Sequence, residues 1–437
     1  MGSFRTIVQR LRDNLYVVPL VIVAVSIAVA RVTTILDHGG DKPISGDWLL
    51  SISVAGGRAI TASVAGATIT VAAFVFSITA LSSQIAATQY SPRAVAGFVE
   101  DRFQKFVIGL IIGTFVFSLL VLADLSGVAY ADDLPHPSLS VTIVLLLGIA
   151  SAVAIVAYLD HSLKRMRIDA VVRRIAEWSA GAVRHQDRVK GADVDMEALS
   201  QPDAQPIRVE STRSGWVLDI HSALLAQRLP ADSLARIEVK LGEAVFAGDL
   251  LATVWLDGDS ASVSRSVQRS VRLGRSRTSS RDPGYGIRQL VDIGLRALSP
   301  AVNDPTTAMD VIQHLKRPLR EILTLDPPQR VYAGPRRQRV FLPETPSRSD
   351  RVRSAFAELR LAAANQPVVL AVLIDVLGGL VEELIADNHE SRTVELRRQA
   401  ELAVDLAKHA AFSASDLEPI LDSAKRLGLE PEDEPAD

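Results

Sequence analysis

Long uncharged stretches alternate with short charged ones up to Asp160, after which charged residues dominate the chain. A helix of about 20 apolar residues crosses the roughly 30 Å hydrocarbon core of a bilayer. Because backbone groups in lipid must be hydrogen-bonded within their own segment, such stretches are predicted to be helices. The pattern therefore predicts a four-helix transmembrane domain over residues 1–160, with spans at about 14–36, 55–90, 106–123 and 139–159.

The second span is unusual in length, since no formal charge interrupts the 34 residues between Arg58 and Arg93. At 1.5 Å per residue, a helix from Ala55 to Tyr90 is about 54 Å long. Such a helix exceeds the membrane thickness, so we expect it to project into the cytoplasm.

Small and polar residues recur along this span at intervals of seven. One row is Gly56, Ser63, Thr70, Ser77, Gln84 and Ser91, and a row offset by three is Ala59, Gly66, Ala73, Ala80 and Ala87. A helix brings both rows onto one face, with a drift of about 20° per heptad. Large apolar residues such as Ile69, Phe74 and Phe76 fall on other faces.

Two interpretations of this face remain open. Small residues let helix backbones approach, and hydroxyls bond across the contact, which favours simple helix packing. Alternatively, copies of the helix from several subunits line a hydrated path for ions or small solutes. The candidate pore-lining residues are then Ser63, Gly66, Thr70, Ala73, Ser77, Ala80 and Gln84. Arg58 is either a charged pore mouth or an interface residue whose charge reaches the headgroups.

Basic residues flank alternate ends of the spans, and cytoplasmic loops carry an excess of Lys and Arg. One side holds Arg5, Arg10, Arg12, Arg93, Arg102, Lys105, Lys164, Arg165, Arg167, Arg173 and Arg174. The other holds Asp37, Asp41, Asp47, Asp124, Asp132 and Asp133, with Lys42. The distribution predicts a multi-pass inner-membrane protein with both termini in the cytoplasm.

The remaining chain is predicted to be a cytoplasmic α+β region. Its predicted parts are a continuing helix and linker (161–206), a small β-rich module (207–260), a helical domain (261–427) and a disordered acidic tail (428–437). The Pro- and Arg-rich stretch 326–350 is predicted to be a loop. Val368 to Ile385 is predicted to be a buried helix of the soluble domain.

The β-rich module contains a regular V-x-x-G-x-x-V-x-x-G-x-x-L spacing from Val239 to Leu251, with Gly242 and Gly248 as turn points. This spacing is similar to that of the small β-sandwich of lipoyl and biotinyl carrier domains. The modified-lysine hairpin of those carriers has no counterpart here. We therefore interpret the module as a β-sandwich scaffold.

A second candidate site follows the module. Arg288, Asp292 and Arg296 are spaced as an ion-pair ladder on one helix face. With Asn303 and Asp304, which come soon after, they are candidates for binding a small anionic ligand or holding a subunit interface. The alternative is structural, because Asp304-Pro305 fits an N-cap followed by proline at the first helical position.

Composition excludes several function classes. The net charge of -3 argues against nucleic-acid binding, which needs a basic surplus. The chain has no cysteine, so disulfides and thiolate sites are excluded. Its 8 histidines show no metal-ligand spacing, and no catalytic constellation stands out. We therefore expect no metal, no cofactor and no enzymatic activity.

Three segments of the chain resemble a known family. They are YGIRQLVDIGLRALSPAVNDPTTAMDVI, RAITASVAGATITVAAFVFSIT and QYSPRAVAGFVEDR. All three resemble segments of the uncharacterised bacterial membrane family catalogued as domain of unknown function 2254, and they occur in the same order along the chain as in the family. Thr306, directly after Asn303-Asp304-Pro305, stands where the family usually has an aromatic residue. The resemblance implies an inner-membrane protein and brings no established reaction or cofactor.

The leading hypothesis is a homo-oligomeric ion channel or small-solute pore, lined by the second span and regulated by the cytoplasmic region. The alternative is a non-conducting membrane scaffold or sensor that binds a ligand or partner through that region. The expected partners are the lipid bilayer, further copies of the chain, and ions or small solutes.

Overall fold

The computed structural model describes residues 17–38, 51–89, 102–127, 136–137, 139–165, 167–186, 205–256, 260–278 and 281–429. The chain divides into two compact units, Met1–Arg167 and Ile168–Asp437. Several sequence predictions lie outside the described residues: the N-terminal arginines, Arg93, Ser91, most of the 191–206 linker and the acidic tail.

The four predicted spans are confirmed as long apolar helices of the N-terminal unit. They are α1 (Val17–His38), α2 (Val54–Gln89), α3 (Arg102–Gly127) and α4 (Leu139–Arg165). The 36 residues of α2 correspond to about 54 Å at 1.5 Å per residue. The short strands β1 (Ser51–Ile52) and β2 (His136–Pro137) pair antiparallel.

Helix α3 is central to the N-terminal unit, because it packs against each of the other three helices. Two glycines one turn apart, Gly109 and Gly113, bring it close to α1. A Cβ on Gly109 would lie 2.6 Å from Cδ1 of Ile22 and 3.0 Å from the Cα of Pro19. Small residues at this spacing allow membrane helices to pack backbone to backbone.

Polar groups inside the bundle find partners on neighbouring helices. Thr114 and Ser151 share a buried hydrogen bond of 3.1 Å, and Thr79 lies 2.7 Å from the hydroxyl of Tyr158. The carboxylate of Asp37 accepts the amides of Leu139 and Ser140 at 2.9 and 3.0 Å. It therefore satisfies free backbone donors at the start of α4.

The C-terminal unit begins with α5 (Ile168–Arg184), so the helix predicted to continue from span four is divided into two helices within the described residues. Helix α4 ends at Arg165, and Arg167 is not helical. The apolar face of α5 is buried in its own unit against two later helices. A basic amphipathic pattern predicts helix on both sides of such a break and does not locate the break.

Eight strands of this unit form two sheets. They are β3 (Pro206–Glu210), β4 (Gly215–Ile220), β5 (Leu234–Ile237), β6 (Ala244–Val245), β7 (Leu250–Trp255), β8 (Val271–Gly274), β9 (Val331–Ala333) and β10 (Arg339–Phe341). The five-stranded sheet has the order β3-β7-β5-β10-β9 and the three-stranded sheet β6-β4-β8. All pairs are antiparallel except β5 with β10.

The sheets correct two expectations. The stretch 326–350 is not simply a loop, because it contributes β9 and β10 to the larger sheet. The predicted β-sandwich is not confirmed, since this sheet recruits strands from far along the chain and two helices contribute to the same core. Gly242 and Gly248 do adopt positive φ values of 74° and 97°, as expected at turn points.

Helices form the rest of the unit. They are α6 (Ser222–Arg228), α7 (Ser260–Ser270), α8 (Pro283–Ala297), α9 (Pro305–Thr324), α10 (Arg348–Ala362), α11 (Pro367–Ala386), α12 (Val394–His409) and α13 (Ala414–Arg426), with a 3-10 turn at Glu390–Arg392. Helix α11 is buried as predicted, with Leu370, Leu373 and Leu377 fully inaccessible to solvent. It packs against α9, α12 and α13.

Replacing Gly109 by valine is expected to destabilise the N-terminal unit by about 2 kcal/mol, because the added carbons collide with α1. The measurement is the thermal unfolding midpoint of the full chain in detergent. Ala123→Val on the exposed side of the same helix is the control and should leave the midpoint unchanged. Equal midpoints for the two variants would contradict the close approach of α1 and α3.

Candidate functional site

One face of α2 packs inside the N-terminal unit, against α3 and α4. Its buried residues are spaced by three or four positions, as one helix face requires. They are Val54, Gly57, Thr61, Ala65, Thr68, Ala72 and Val75. The side chains on this face are themselves small, which lets α2 lie close to α3 and α4.

The opposite face of α2 is exposed, and we call it the polar stripe. It consists of Ala59, Ser63, Gly66, Thr70, Ala73, Ser77, Ala80 and Gln84. All seven residues predicted to line a pore lie on it. A Cβ added to Gly66 would meet no atom within 4 Å. The described helices of the same chain therefore leave the polar stripe uncovered.

The hydroxyl groups of the polar stripe donate to their own helix. Ser63, Thr70 and Ser77 donate to the carbonyl oxygens of Ala59, Gly66 and Ala73 at 2.8, 2.9 and 3.0 Å. Each hydrogen is thus used within α2. The oxygen lone pairs remain on the outer surface, where they can accept a hydrogen bond or contact a cation.

Large apolar side chains border the polar stripe on both sides. At 3.6 residues per turn, Ile69 and Phe76 fall on one border, and Phe74 and Leu81 on the other. Their exposed fractions are 47%, 52%, 53% and 57% respectively. The exposed half of α2 therefore has a small polar centre between two apolar margins.

Arg58 points away from the polar stripe and contacts α3. Its Nε and one terminal nitrogen donate to the carbonyl oxygen of Leu125 at 3.0 and 2.7 Å. A cation beside the last turn of a helix satisfies free carbonyls and favours the helix dipole. The predicted role of Arg58 at a pore mouth stays a prediction, while its observed contact is structural.

The proposed ladder on α8 is formed in part. The Nε of Arg288 donates to Asp292 at 2.6 Å, and its terminal nitrogens bind Glu358 on α10. The bond to Glu358, with help from Asp292, raises the pKa of Arg288 and opposes the effect of its partial burial. These contacts tie α8 to α10. On Arg296, Nε is buried without a hydrogen-bond partner.

Asn303 and Asp304 lie beyond the end of α8 and have local partners of their own. Asp304 caps α9, since its carboxylate accepts the amide of Thr307 at 3.0 Å and its hydroxyl at 2.6 Å. Asn303 adopts a φ of 47° and accepts from Gln366 at 3.1 Å. The capping interpretation is confirmed. A ligand or interface role for Arg288, Asp292, Arg296, Asn303 and Asp304 stays a prediction.

A cavity of about 190 Å³ lies elsewhere in the C-terminal unit. Its walls come from the end of α5, strand β4, the turn before β6, the residues just before α8, and the loops around β9 and β10. Sequence reasoning missed it, because these segments are far apart in the chain. The arginine-rich run from Arg272 to Thr278 does not line the cavity, although Arg277 contacts the lining residue Asp282.

Arg281, Arg330 and Arg351 line this cavity, and Arg277 contacts the lining residue Asp282. Arg277 donates to Asp282 at 2.5 Å and stacks on Tyr285, with 4.9 Å between its guanidinium carbon and the ring centre. Glycines make room for the arginines. A Cβ on Gly242 would lie 2.5 Å from Arg277, and one on Gly284 would overlap Arg351.

Among the described residues, no group of three or more His, Asp or Glu side chains is placed to hold a metal ion. The carboxylates at the cavity are instead engaged by arginines.

Comparisons with known proteins agree with the assignment of the N-terminal unit to a membrane. A family model described as predicted membrane protein (DUF2254) matches residues 12–378. Uncharacterized proteins of Mycobacterium bovis and Mycobacterium tuberculosis are each 27% identical to the chain over 434 residues, covering 97% of it and 81% of their own length. No solved structure matches.

Replacing Asp304 by alanine is expected to lower the free energy of unfolding of the C-terminal unit by about 1 kcal/mol, because α9 loses its N-cap. The measurement is urea unfolding of the full chain followed by tryptophan fluorescence. Asp304→Ser is the control and should restore most of the loss, since serine also caps. A serine variant as unstable as the alanine variant would contradict a purely capping role.

Proposed function

The chain belongs to the DUF2254 family of predicted membrane proteins, and we propose that it forms a homo-oligomeric ion channel or small-solute pore. Helix α2 lines this pore, and the C-terminal unit regulates it. The observation that carries the proposal is the position of the polar stripe, on the face of α2 opposite its own bundle.

The chemistry of the polar stripe favours contact with water over contact with lipid. Hydrocarbon offers no partner to outward lone pairs, whereas water or a passing solute does. Ser63, Thr70 and Ser77 place such lone pairs along the stripe, and no formal charge fixes a counterion there. Oxygen acceptors without charge favour cations and hydrogen-bond donors among the solutes that pass.

One copy of α2 cannot enclose a path, so the proposal requires several subunits. The apolar margins of the polar stripe provide the contacts between copies. Phe76 and Ile69 on one margin and Phe74 and Leu81 on the other are large and exposed in the protomer. Packing one margin of α2 against the opposite margin of the next copy brings both into van der Waals contact and leaves the polar stripe at the centre.

The proposed location is the bacterial inner membrane, with both termini in the cytoplasm. Lys105 lies near the start of α3, and Lys164 and Arg165 lie at the end of α4, whereas Asp37 and Asp124 lie near the other ends of their helices. Cationic residues concentrate on the cytoplasmic side of inner-membrane proteins. The C-terminal unit is then cytoplasmic and accessible to soluble regulators.

A second candidate function is a non-conducting scaffold or sensor. The observation that favours it is the satisfaction of each stripe hydroxyl hydrogen within α2, which lets the stripe pack dry against a partner helix. Both functions use the same surface. They differ in whether water reaches it.

Single cysteines distinguish the two functions, because the chain has no cysteine of its own. In liposomes that contain the full chain, Thr70→Cys is expected to react with a membrane-impermeant thiosulfonate, and the modification should reduce cation flux severalfold. Phe76→Cys is the matched control, since position 76 is also exposed in the protomer but lies on an apolar margin. It should remain unmodified, and its flux should be unchanged by the reagent.

The results of this experiment distinguish the pore from the scaffold. An oligomer in which Thr70→Cys is unreactive and no flux occurs supports the scaffold and overturns the pore. A monomer in detergent and in liposomes overturns the pore as well, since one stripe cannot surround a path.

A further inference from the structure

The cavity of the C-terminal unit has an excess of positive charge that the protein itself leaves unbalanced. Three carboxylates contribute to its wall, and each is paired with one arginine. Asp219 accepts from Arg281 at 3.1 Å, and Glu344 accepts from Arg330 at 3.3 Å. Asp282 is engaged by Arg277, as described above.

Two further cations line the same cavity, Lys240 and Arg351. Among the described residues, neither has a carboxylate within 4 Å of its charged nitrogens. Burial lowers the pKa of Arg351 and the positive charge of Arg277 adds to this effect, while the negative charges of Asp282 and Asp350 oppose it. The guanidinium of Arg351 is thus partly removed from water without a full counter-charge, a condition that an anion would relieve.

The arginines are held in place by their surroundings, so the charge cannot easily move away. Tyr285 and Trp216 lie 4.9 and 5.9 Å from the guanidinium carbon of Arg277. Gly284 places its backbone where a side chain would overlap Arg351. A guanidinium held in this way binds an anion with little loss of conformational entropy, whereas the exposed side chain of Lys240 becomes ordered on binding.

The rest of the cavity is mainly apolar. Ile220, Leu241, Tyr332 and Leu342 lie around it, together with several prolines. Ligand sites commonly combine an apolar lining with a few polar groups that set orientation. A ligand matched to this cavity has an apolar body and one anionic group.

We propose that the cavity binds a small organic anion, either a carboxylate or a phosphate monoester. Its anionic group lies at Lys240 and Arg351, and its apolar body lies against Ile220, Leu241, Tyr332 and Leu342. The cavity is distinct from the residues on α8 and α9 for which the sequence predicts ligand binding. The proposal is independent of whether α2 lines a pore.

Isothermal titration calorimetry on the full chain in detergent tests the site, with benzoate, phenyl phosphate, inorganic phosphate and the uncharged benzamide as probes. Benzoate or phenyl phosphate is expected to bind saturably, one per chain, and benzamide about tenfold more weakly or not at all. Tighter binding of phenyl phosphate identifies a phosphate ligand, and tighter binding of benzoate a carboxylate ligand. Inorganic phosphate binding as tightly as both would overturn the apolar part of the proposal.

Variants locate the binding. Lys240→Gln is expected to weaken binding of the aromatic anion about tenfold, and Arg351→Gln at least as much. Lys425→Gln, which removes the same charge from an exposed position outside the cavity, should bind as the wild type does. Lys240 is exposed, so its variant tests the site even where Arg351→Gln fails to fold. Wild-type affinity in Lys240→Gln, or no saturable anion binding by the wild type up to millimolar concentrations, overturns the proposal.

Discussion

Every polar group in the N-terminal unit that enters hydrocarbon needs a partner within the protein, and this requirement organises the four helices. Serine and threonine hydroxyls on α2 donate to carbonyls of their own helix, and Thr114 pairs with Ser151 between helices. The charged groups near the helix ends are used in the same way. Asp37 binds backbone amides at the start of α4, and Arg58 binds a carbonyl at the end of α3. The stripe hydroxyls of α2 therefore have acceptors within their own helix, whereas the buried hydroxyl of Thr61 on the opposite face has no hydrogen-bond partner among the described residues.

The arrangement of α2 follows from how the other helices pack. Glycines at positions 109 and 113 draw α1 onto α3, and α2 occupies a different part of the α3 surface together with α4. The small face of α2 is used for this contact. Its second face of small residues, the polar stripe, is exposed to solvent or to another copy. A helix with small side chains on two opposite faces is suited to an assembly, because its large apolar side chains are confined to the margins between those faces.

In the C-terminal unit, the three carboxylates at the cavity are paired with arginines, whereas Lys240 and Arg351 line the same cavity without a described carboxylate at ion-pair distance. Gly242 leaves room for Arg277, which stacks on Tyr285, and Gly284 leaves room for Arg351. Burying ion pairs is costly unless the geometry is good, so such clusters are weak contributors to stability. Their value here lies in a cavity with fixed positive charge and an apolar lining. A ligand bound in this cavity would supply a chemical input for the proposed regulation of the pore.

The sequence by itself determined the four spans, the small polar row on the second one, the caps at Asp304 and the turns at Gly242 and Gly248. These features depend on local periodicity and on the conformational limits of single residues, which the chain carries wherever it folds. Only the tertiary structure decided which of the two small faces of α2 is covered, that the stretch 326–350 supplies strands to the larger sheet, and that Lys240 and Arg351 share a cavity. Each of those depends on contacts between segments distant in sequence, and neither hydrophobic periodicity nor residue type encodes the partner of such a contact.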